Sequence, residues 1–345
     1  MMYPFTRPAR RAWMTLLLRC LLPALLLCGG MGSARADNCT ASMTDVAFGP
    51  VSPIAGTDYY ANGTLTVTCT VLLGSLGTAV APGVSICVNL EGGSGGTIAV
   101  RNLQNGGVAV PFNLYRDNTY AAASVWGSTS GGAAQPVTTS MTGLLGLGSA
   151  TQTFTIYGKI PASSLPSART VNGTDTVYTA DFGGAGTIQY AFYGALAPAV
   201  GCKAGTSVPF SFKATATITN NCFISTGPLA FAGDNRVLNA AVRTTGSMGV
   251  LCSAGSPYQI SLNGGSVANN AGARRMASAA GGGIRYEISN TLDGPVWGDG
   301  TGGTGMVTNT GTGVQQTLRL YGRVPAQATP APGDYKDTVT ATLMF

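Results

Sequence analysis

Six of the eight cysteines, all but Cys20 and Cys28 of the first 36 residues, carry the chemistry that residue type and spacing allow here: Cys39, Cys69, Cys87, Cys202, Cys222 and Cys252. In an exported chain an even set of thiols oxidises to disulfides. The 345-residue chain contains no histidine, which removes Ser–His and Cys–His nucleophile pairs and histidine metal sites. The acids are scattered, with no pair set for glycosidase chemistry. Gly-rich turns such as Asn172-Gly173-Thr174 lack the strand–loop–helix context of a phosphate loop. These residues point away from an enzyme and imply no cofactor and no metal.

The oxidising compartment is read from the first 36 residues. Arg7, Arg10 and Arg11 precede a mostly apolar run from Trp13 to Cys28, and Ala34-Arg35-Ala36 is a small-x-small cleavage site. This is a secretory signal peptide, with a mature start expected at Asp37. Leu27 is too bulky for Cys28 to mark a lipoprotein, and no later apolar run reaches the ~20 residues of a membrane span. The signal holds five arginines and no acids, so the formal charge of +6 falls to about +1 in the mature chain. Without a basic stripe, nucleic acid is not an expected partner.

The cysteine spacing repeats. Cys39 to Cys69 and Cys222 to Cys252 are both 30 residues. Asn38-Cys39 leads to Ala47-Phe48-Gly49, and Asn221-Cys222 leads to Ala230-Phe231-Ala232-Gly233. Val88-Asn89-Leu90-Glu91-Gly92-Gly93-Ser94 matches Ile260-Ser261-Leu262-Asn263-Gly264-Gly265-Ser266, and Trp126-Gly127 matches Trp297-Gly298. Tyr157-Gly158-Lys159-Ile160-Pro161-Ala162 matches Tyr321-Gly322-Arg323-Val324-Pro325-Ala326. Two copies of one domain in tandem follow. The equivalent pairs are then Cys39–Cys69 and Cys222–Cys252, leaving Cys87–Cys202 by elimination. Each 30-residue closure contributes about 3–4 kcal/mol in the chain-entropy model.

The elements that position these residues are strands. Gly, Thr, Ser, Ala and Val dominate, charged residues are 9% of the chain, and short alternating runs recur between Gly, Asn and Pro. The expected fold is all-β: two tandem antiparallel sandwiches with immunoglobulin-like strand order, over 37–201 and 202–345. The alternating run Val208, Phe210, Phe212, Ala214, Ala216, Ile218 reads as the first strand of the second copy. At the end of the chain Val339, Ala341, Leu343 and Phe345 share one strand face, opposite Thr340, Thr342 and Met344. That strand runs to the last residue, so either an earlier strand closes the sheet or its last neighbour comes from another molecule. Trp126 and Trp297 are expected inside the shared fold, and Arg274-Arg275 at a solvated turn.

The alternating strand into Asn221-Cys222, the Leu229–Gly233 run, Leu320-Tyr321-Gly322-Arg323-Val324-Pro325-Ala326 and the terminal Gly333–Val339 stretch resemble the spore coat U domain family, subunits of archaic (Csu-type) chaperone–usher pili. The first copy matches more loosely. The resemblance implies an immunoglobulin-like second copy lacking its last strand. A periplasmic chaperone fills that groove in transit, and an adjacent pilin subunit fills it in the fibre after passage through an outer-membrane usher. Val339, Ala341, Leu343 and Phe345 would then wall the groove. Only Asp37 and Asn38 precede Cys39 in the mature chain, too little to donate a strand. The resemblance therefore implies a two-domain tip adhesin at the cell surface, involved in attachment and biofilm formation.

The first copy is enlarged at three places. Cys69 to Ile86 is 17 positions against 6 from Cys252 to Tyr258; Trp126 to Phe154 is 28 against 21 from Trp297 to Leu318. The added residues are apolar, whereas loops ordinarily gain polar ones. Leu72, Leu73, Leu76, Val80, Leu144, Leu145 and Leu147 are the candidates for exposed loops that touch an abiotic or host surface, as the resemblance implies for tip adhesins. The third enlargement, from Tyr157 to Tyr178, holds Leu165-Pro166 and would emerge at the other end. A carbohydrate- or receptor-binding pilus lectin and a purely structural coat or matrix protein stay open as alternatives.

Overall fold

Alternation of β-branched and polar residues writes the long strands directly. In Tyr59–Val71, Leu65, Val67, Cys69 and Val71 point into the core while threonines 64, 66, 68 and 70 line the other face. Thr68 and Thr151 meet across the strand pair at 3.0 Å between hydroxyls. The computed structural model describes residues 1–2, 37–71, 83–142, 148–194, 201–202, 204–231 and 237–345. The signal peptide expected at 1–36 lies, apart from Met1 and Met2, outside the described residues. Among those described, no helix is long and apolar enough to cross a membrane.

The first copy contains β1 (Asn38–Met43), β2 (Val46–Val51), β3 (Tyr59–Val71), β4 (Gly83–Leu90), β5 (Arg101–Asn105), β6 (Val108–Tyr115), β7 (Val137–Met141), β8 (Gly148–Ile160), β9 (Thr176–Asp181) and β10 (Gly186–Tyr193). Next come β11 (Thr206–Phe210) and β12 (Lys213–Ile218). One sheet has the order β1-β3-β8-β6-β5-β9-β12-β2 and the other β11-β10-β4-β7. Their inner faces share one core, with Leu65, Ile86, Leu103, Leu114, Ile156 and Phe182 fully buried. Burying each such side chain contributes about 1.5–3 kcal/mol. β4 is buried at all eight positions, since it lies between β10 and β7.

The second copy contains β13 (Cys222–Thr226), β14 (Val242–Cys252), β15 (Pro257–Leu262), β16 (Arg275–Ala277), β17 (Gly283–Arg285), β18 (Glu287–Ser289), β19 (Val307–Thr310), β20 (Gln316–Val324) and β21 (Ala341–Met344). The sheets run β13-β14-β20-β18, β19-β15-β21 and the short β16-β17. The molecule is thus almost entirely β, in two immunoglobulin-like sandwiches. Disulfides join Cys39–Cys69, Cys87–Cys202 and Cys222–Cys252. The two 30-residue closures link directly opposed residues of neighbouring strands.

The run Thr206–Ile218, expected to open the second copy, pairs inside the first. β11 lies antiparallel to β10, while β12 lies antiparallel to β9 and parallel to β2. The reason is burial. Phe210, Phe212, Ala214, Ala216 and Ile218 all fill the first core, and Phe212 stacks on Phe182 at 4.6 Å between ring centres.

Arg274 corrects a second expectation. It is fully buried rather than solvated, because it tethers the end of β15: Nε donates to Asn263 O at 2.8 Å and Nη2 to Leu262 O at 2.9 Å. Arg101 does the same in the first copy, donating to Leu90 O, Glu91 O and Trp126 O. Burial pushes the Arg101 guanidinium down to about 9, against the nearby Glu91 carboxylate, which raises it. Trp126 and Trp297 are buried too, each donating its indole N–H to a carbonyl of the neighbouring strand, Val88 and Ile260 respectively.

Candidate functional site

The two copies treat one sheet edge differently. In the first, Ile188 pairs with Val88 on one side and with Val208 on the other. In the second, Leu343 pairs with Ile260, the repeat equivalent of Val88, and β21 forms the edge of its sheet among the described residues. Lower down, Thr179 bridges to Gln104 and, on its other side, to Thr215. Its counterpart Lys336 bridges to Ala277. β11 and β12 therefore lie along β9 and β10, and the corresponding line beside Tyr335–Phe345 is a sheet edge.

Burial follows the same division. Cys39 and Phe48 are buried, whereas their counterparts Cys222 and Phe231 are only partly so. Val339, Ala341 and Leu343 pack half-buried against the second core, together with Ile224, Leu229 and Leu318. Phe345 lies past the end of β21 and is 54% exposed. An apolar core half-open along a strand at a sheet edge favours pairing with another strand. No catalytic geometry is needed for that chemistry: main-chain hydrogen bonds supply affinity, and alternate side chains fill the opening.

Entry to this edge is held by Asp337. Its carboxylate accepts from Ser266 N at 2.8 Å, Ser266 Oγ at 2.9 Å and Val267 N at 3.2 Å, and from Tyr286 Oη at 2.7 Å. Burial, and then that hydrogen bond, push the Tyr286 phenol up. The Gly-Gly-Ser turn after β15 is thereby fixed to the start of the terminal segment.

The seven apolar loop candidates, Leu72, Leu73, Leu76, Val80, Leu144, Leu145 and Leu147, lie outside the described residues. Their anchors do not. Val71 pairs with Gly148, and Val84 with Met141, so the 72–82 and 143–147 segments leave from strand ends joined to one another. The third enlargement faces the second copy. Leu165 is buried, Thr170 N donates to Ala254 O at 2.9 Å, and Asn220 Nδ2 donates to Gly173 O at 2.8 Å. Gly255 sits at φ +82 with room for no Cβ, since one would stand 2.7 Å from Thr170 O.

Sequence reading missed the buried Arg101–Arg274 pair and the destination of Thr206–Ile218. A signal for the arginines was present: each follows a matched Leu-x-Gly-Gly-Ser run at nearly the same interval. A cation repeated so closely in two copies marks a position of the fold rather than a surface turn.

The family model for the Spore Coat Protein U domain matches residues 30–180 and 208–342. Among solved structures, the chain resembles the chaperone–tip adhesion subunit complex of archaic chaperone–usher Csu pili of Acinetobacter baumannii. There it is 17% identical, covers 89% of this chain and 100% of that one, and has a TM-score of 0.48. It also resembles the CupB6 tip adhesin from Pseudomonas aeruginosa, at 12% identity, 90% and 95% coverage and a TM-score of 0.40. No curated protein matches the chain by sequence. The second family match begins at 208, within the very segment whose strands complete the first copy's sheets. The chain belongs, through two consecutive matches that together span most of its length, to the Spore Coat Protein U domain family.

Proposed function

We propose that this protein is the tip adhesin of a chaperone–usher pilus, exported through the periplasm to the cell surface. Its second copy accepts a strand along Tyr335–Phe345, from a periplasmic chaperone in transit and from the adjacent pilin subunit in the fibre. Passage outward is through an outer-membrane usher. The first copy, residues 37–201 closed by 206–218, carries the adhesive loops 72–82 and 143–147. These contact abiotic or host surfaces by apolar area and so support attachment and biofilm formation.

One observation supports the reading above the rest. β11 and β12 open the second family unit yet fill the edge of the first. The two units are thus joined within one chain as strand donor and acceptor. The equivalent edge of the second unit, along β21, is walled by the half-buried Val339, Ala341 and Leu343.

Two variants test the assignment separately. Replacing Leu72, Leu144 and Leu145 by Ser should abolish adhesion to polystyrene while pili still assemble. Replacing Leu343 by Lys should stop incorporation into pili altogether. Adhesion that survives the loop changes, or normal assembly with Leu343→Lys, contradicts the respective half of the proposal.

A further inference from the structure

The outer face of β3, β6 and β8 differs between the copies in a way the strand edge and the loops do not explain. Matching by the Tyr-Gly-Lys-Ile-Pro-Ala and Tyr-Gly-Arg-Val-Pro-Ala motifs sets Lys159 against Arg323. Tyr60 pairs across the strands with Lys159, and Arg243 with Arg323, so Tyr60 corresponds to Arg243. Tyr115 pairs with Tyr157 and Ser289 with Tyr321, so Tyr115 corresponds to Ser289. The loops that follow each contain one non-glycine residue at positive φ, Tyr120 at 54° and Asp293 at 52°.

In the second copy this face is an ion-pair network. Arg243 meets Asp293 at 2.9 Å, and Arg323 meets Glu287 at 3.5 Å. In the first copy the same positions form a tyrosine cluster. The Tyr120 ring lies 4.8 Å from Tyr60, 5.3 Å from Tyr115 and 6.4 Å from Tyr157. Tyr60 is 52% exposed. Asp tolerates the left-handed conformation, whereas a bulky aromatic there is an outlier held by its surroundings. Asp117 supplies the hold, accepting from Thr119 N and Thr119 Oγ1.

A need for sheet stability alone does not account for the exchange, since the ion pairs serve the same fold in the second copy. A cationic ligand does not fit either. Lys159 Nζ already stands 5.8 Å from the Tyr60 ring centre and 5.9 Å from that of Tyr120. Lys159 is itself neutralised by Asp58 at 2.8 Å, so the platform has no net charge. What remains is a net-neutral patch of aromatic rings, Tyr120 tilted 50° from Tyr60 and nearly edge-on to Tyr115 and Tyr157, with electron-rich ring faces, phenol hydroxyls around it, and one ammonium and one carboxylate beside it. That is the complement of a neutral pyranose, whose one face presents weakly positive C–H groups and whose rim presents hydroxyls.

We propose that Tyr60, Tyr115, Tyr120 and Tyr157, with Lys159 and Asp58 at their edge, form a binding platform for neutral saccharide rings. The site is separate from the strand edge. It also lies at the opposite end of β3 and β8 from the 72–82 and 143–147 segments, since Tyr60 and Lys159 sit by Ile160 whereas Val71 and Gly148 anchor those segments. Neither part of the proposed pilus function is needed for it.

The test is saturation-transfer NMR with the purified chain and maltohexaose, cellohexaose, chitohexaose and a β-galactosyl oligosaccharide as probes. Saturating the tyrosine resonances should label the C–H protons of one ring face in at least one probe. Tyr60→Arg with Tyr120→Asp, which installs the second copy's own ion pair, should weaken binding by about tenfold or more and leave the melting temperature unchanged or higher. Tyr60→Ala, at an exposed position, should weaken it in the same direction. Changing Leu72, Leu144 and Leu145 to Ser should leave it intact. No transfer to any probe, or undiminished transfer in both tyrosine variants, overturns the proposal.

Discussion

Ile188 and Leu343 hold the same place in the two copies, yet among the described residues Ile188 has a strand on each side and Leu343 has one. Ile188 pairs with Val88 and Val208, and Leu343 pairs with Ile260. β11 and β12 pair along the first copy's edge, and under the proposed function a partner strand joins the second copy's edge. The repeat is thus symmetric in fold and asymmetric in how its two edges are covered.

The closing strand is fastened by covalent chemistry. Cys202 stands four residues before β11, and its bond to Cys87 spans 115 residues of sequence. Removing it as Cys87→Ser with Cys202→Ser should lower the first copy's stability by about 4–5 kcal/mol on chain-entropy grounds. Denaturant melts of the wild-type and double-variant chains measure this. They should show the first copy's transition moving to lower denaturant while the second copy's stays in place.

Arg101 and Arg274 should be intolerant of truncation. Each satisfies a carbonyl at the end of an inner strand of its sheet, Leu90 O of β4 and Leu262 O of β15, from a fully buried position. Arg274→Ala should cost about 1–3 kcal/mol for each carbonyl left unpaired, and Arg274→Met, which keeps the volume, should cost less. Thermal unfolding of the two variants checks both the size and the order of the effects.

Acid should loosen the first copy in one identifiable place. The hydrogen bond from Lys159, and then the one from Ala162 N, hold the Asp58 carboxyl below its usual range. A carboxyl whose folded pKa is depressed contributes stability that is present above the unfolded value and is lost as pH falls through the folded one. Melting temperature should therefore drop between about pH 5 and pH 2, and Asp58→Asn should remove part of that slope. A slope unchanged in Asp58→Asn would assign the acid sensitivity to other groups.

The junction between the copies offers a sharp test through a single methyl group. Gly255 has φ +82 and faces Thr170 O, so Gly255→Ala meets both backbone strain and a collision. Strain of this kind costs about 1–3 kcal/mol. Small-angle scattering should show a longer mean extension for the variant, with each copy's own melting transition retained.

Much of this was legible in the sequence. The repeat set which residues correspond, and its two equal 30-residue spacings gave the Cys39–Cys69 and Cys222–Cys252 pairs. Alternation read Thr206–Ile218 as one strand, whereas it breaks into β11 and β12 in different sheets; alternation describes faces and not neighbours. The partner was set by Phe210 and Phe212 stacking with Trp126 and Phe182 in a core far away in sequence. Arg274 was misread for a related reason. The carbonyls that accept from it belong to a strand end 11 and 12 residues earlier, which composition cannot reveal. The tyrosine platform depends on cross-strand register, which is invisible until β3, β6 and β8 are aligned.

The central claim concerns one edge, and hydrogen exchange reads it most directly. The chain is bound to its chaperone, or to a peptide of the adjacent pilin's donor strand, and amide protection is compared with that of the free chain. We expect one partner per chain, with strong new protection confined to residues 335–345 and their neighbours and none gained at 186–193. Protection gained at 186–193, or none gained at 335–345 on binding, would contradict it.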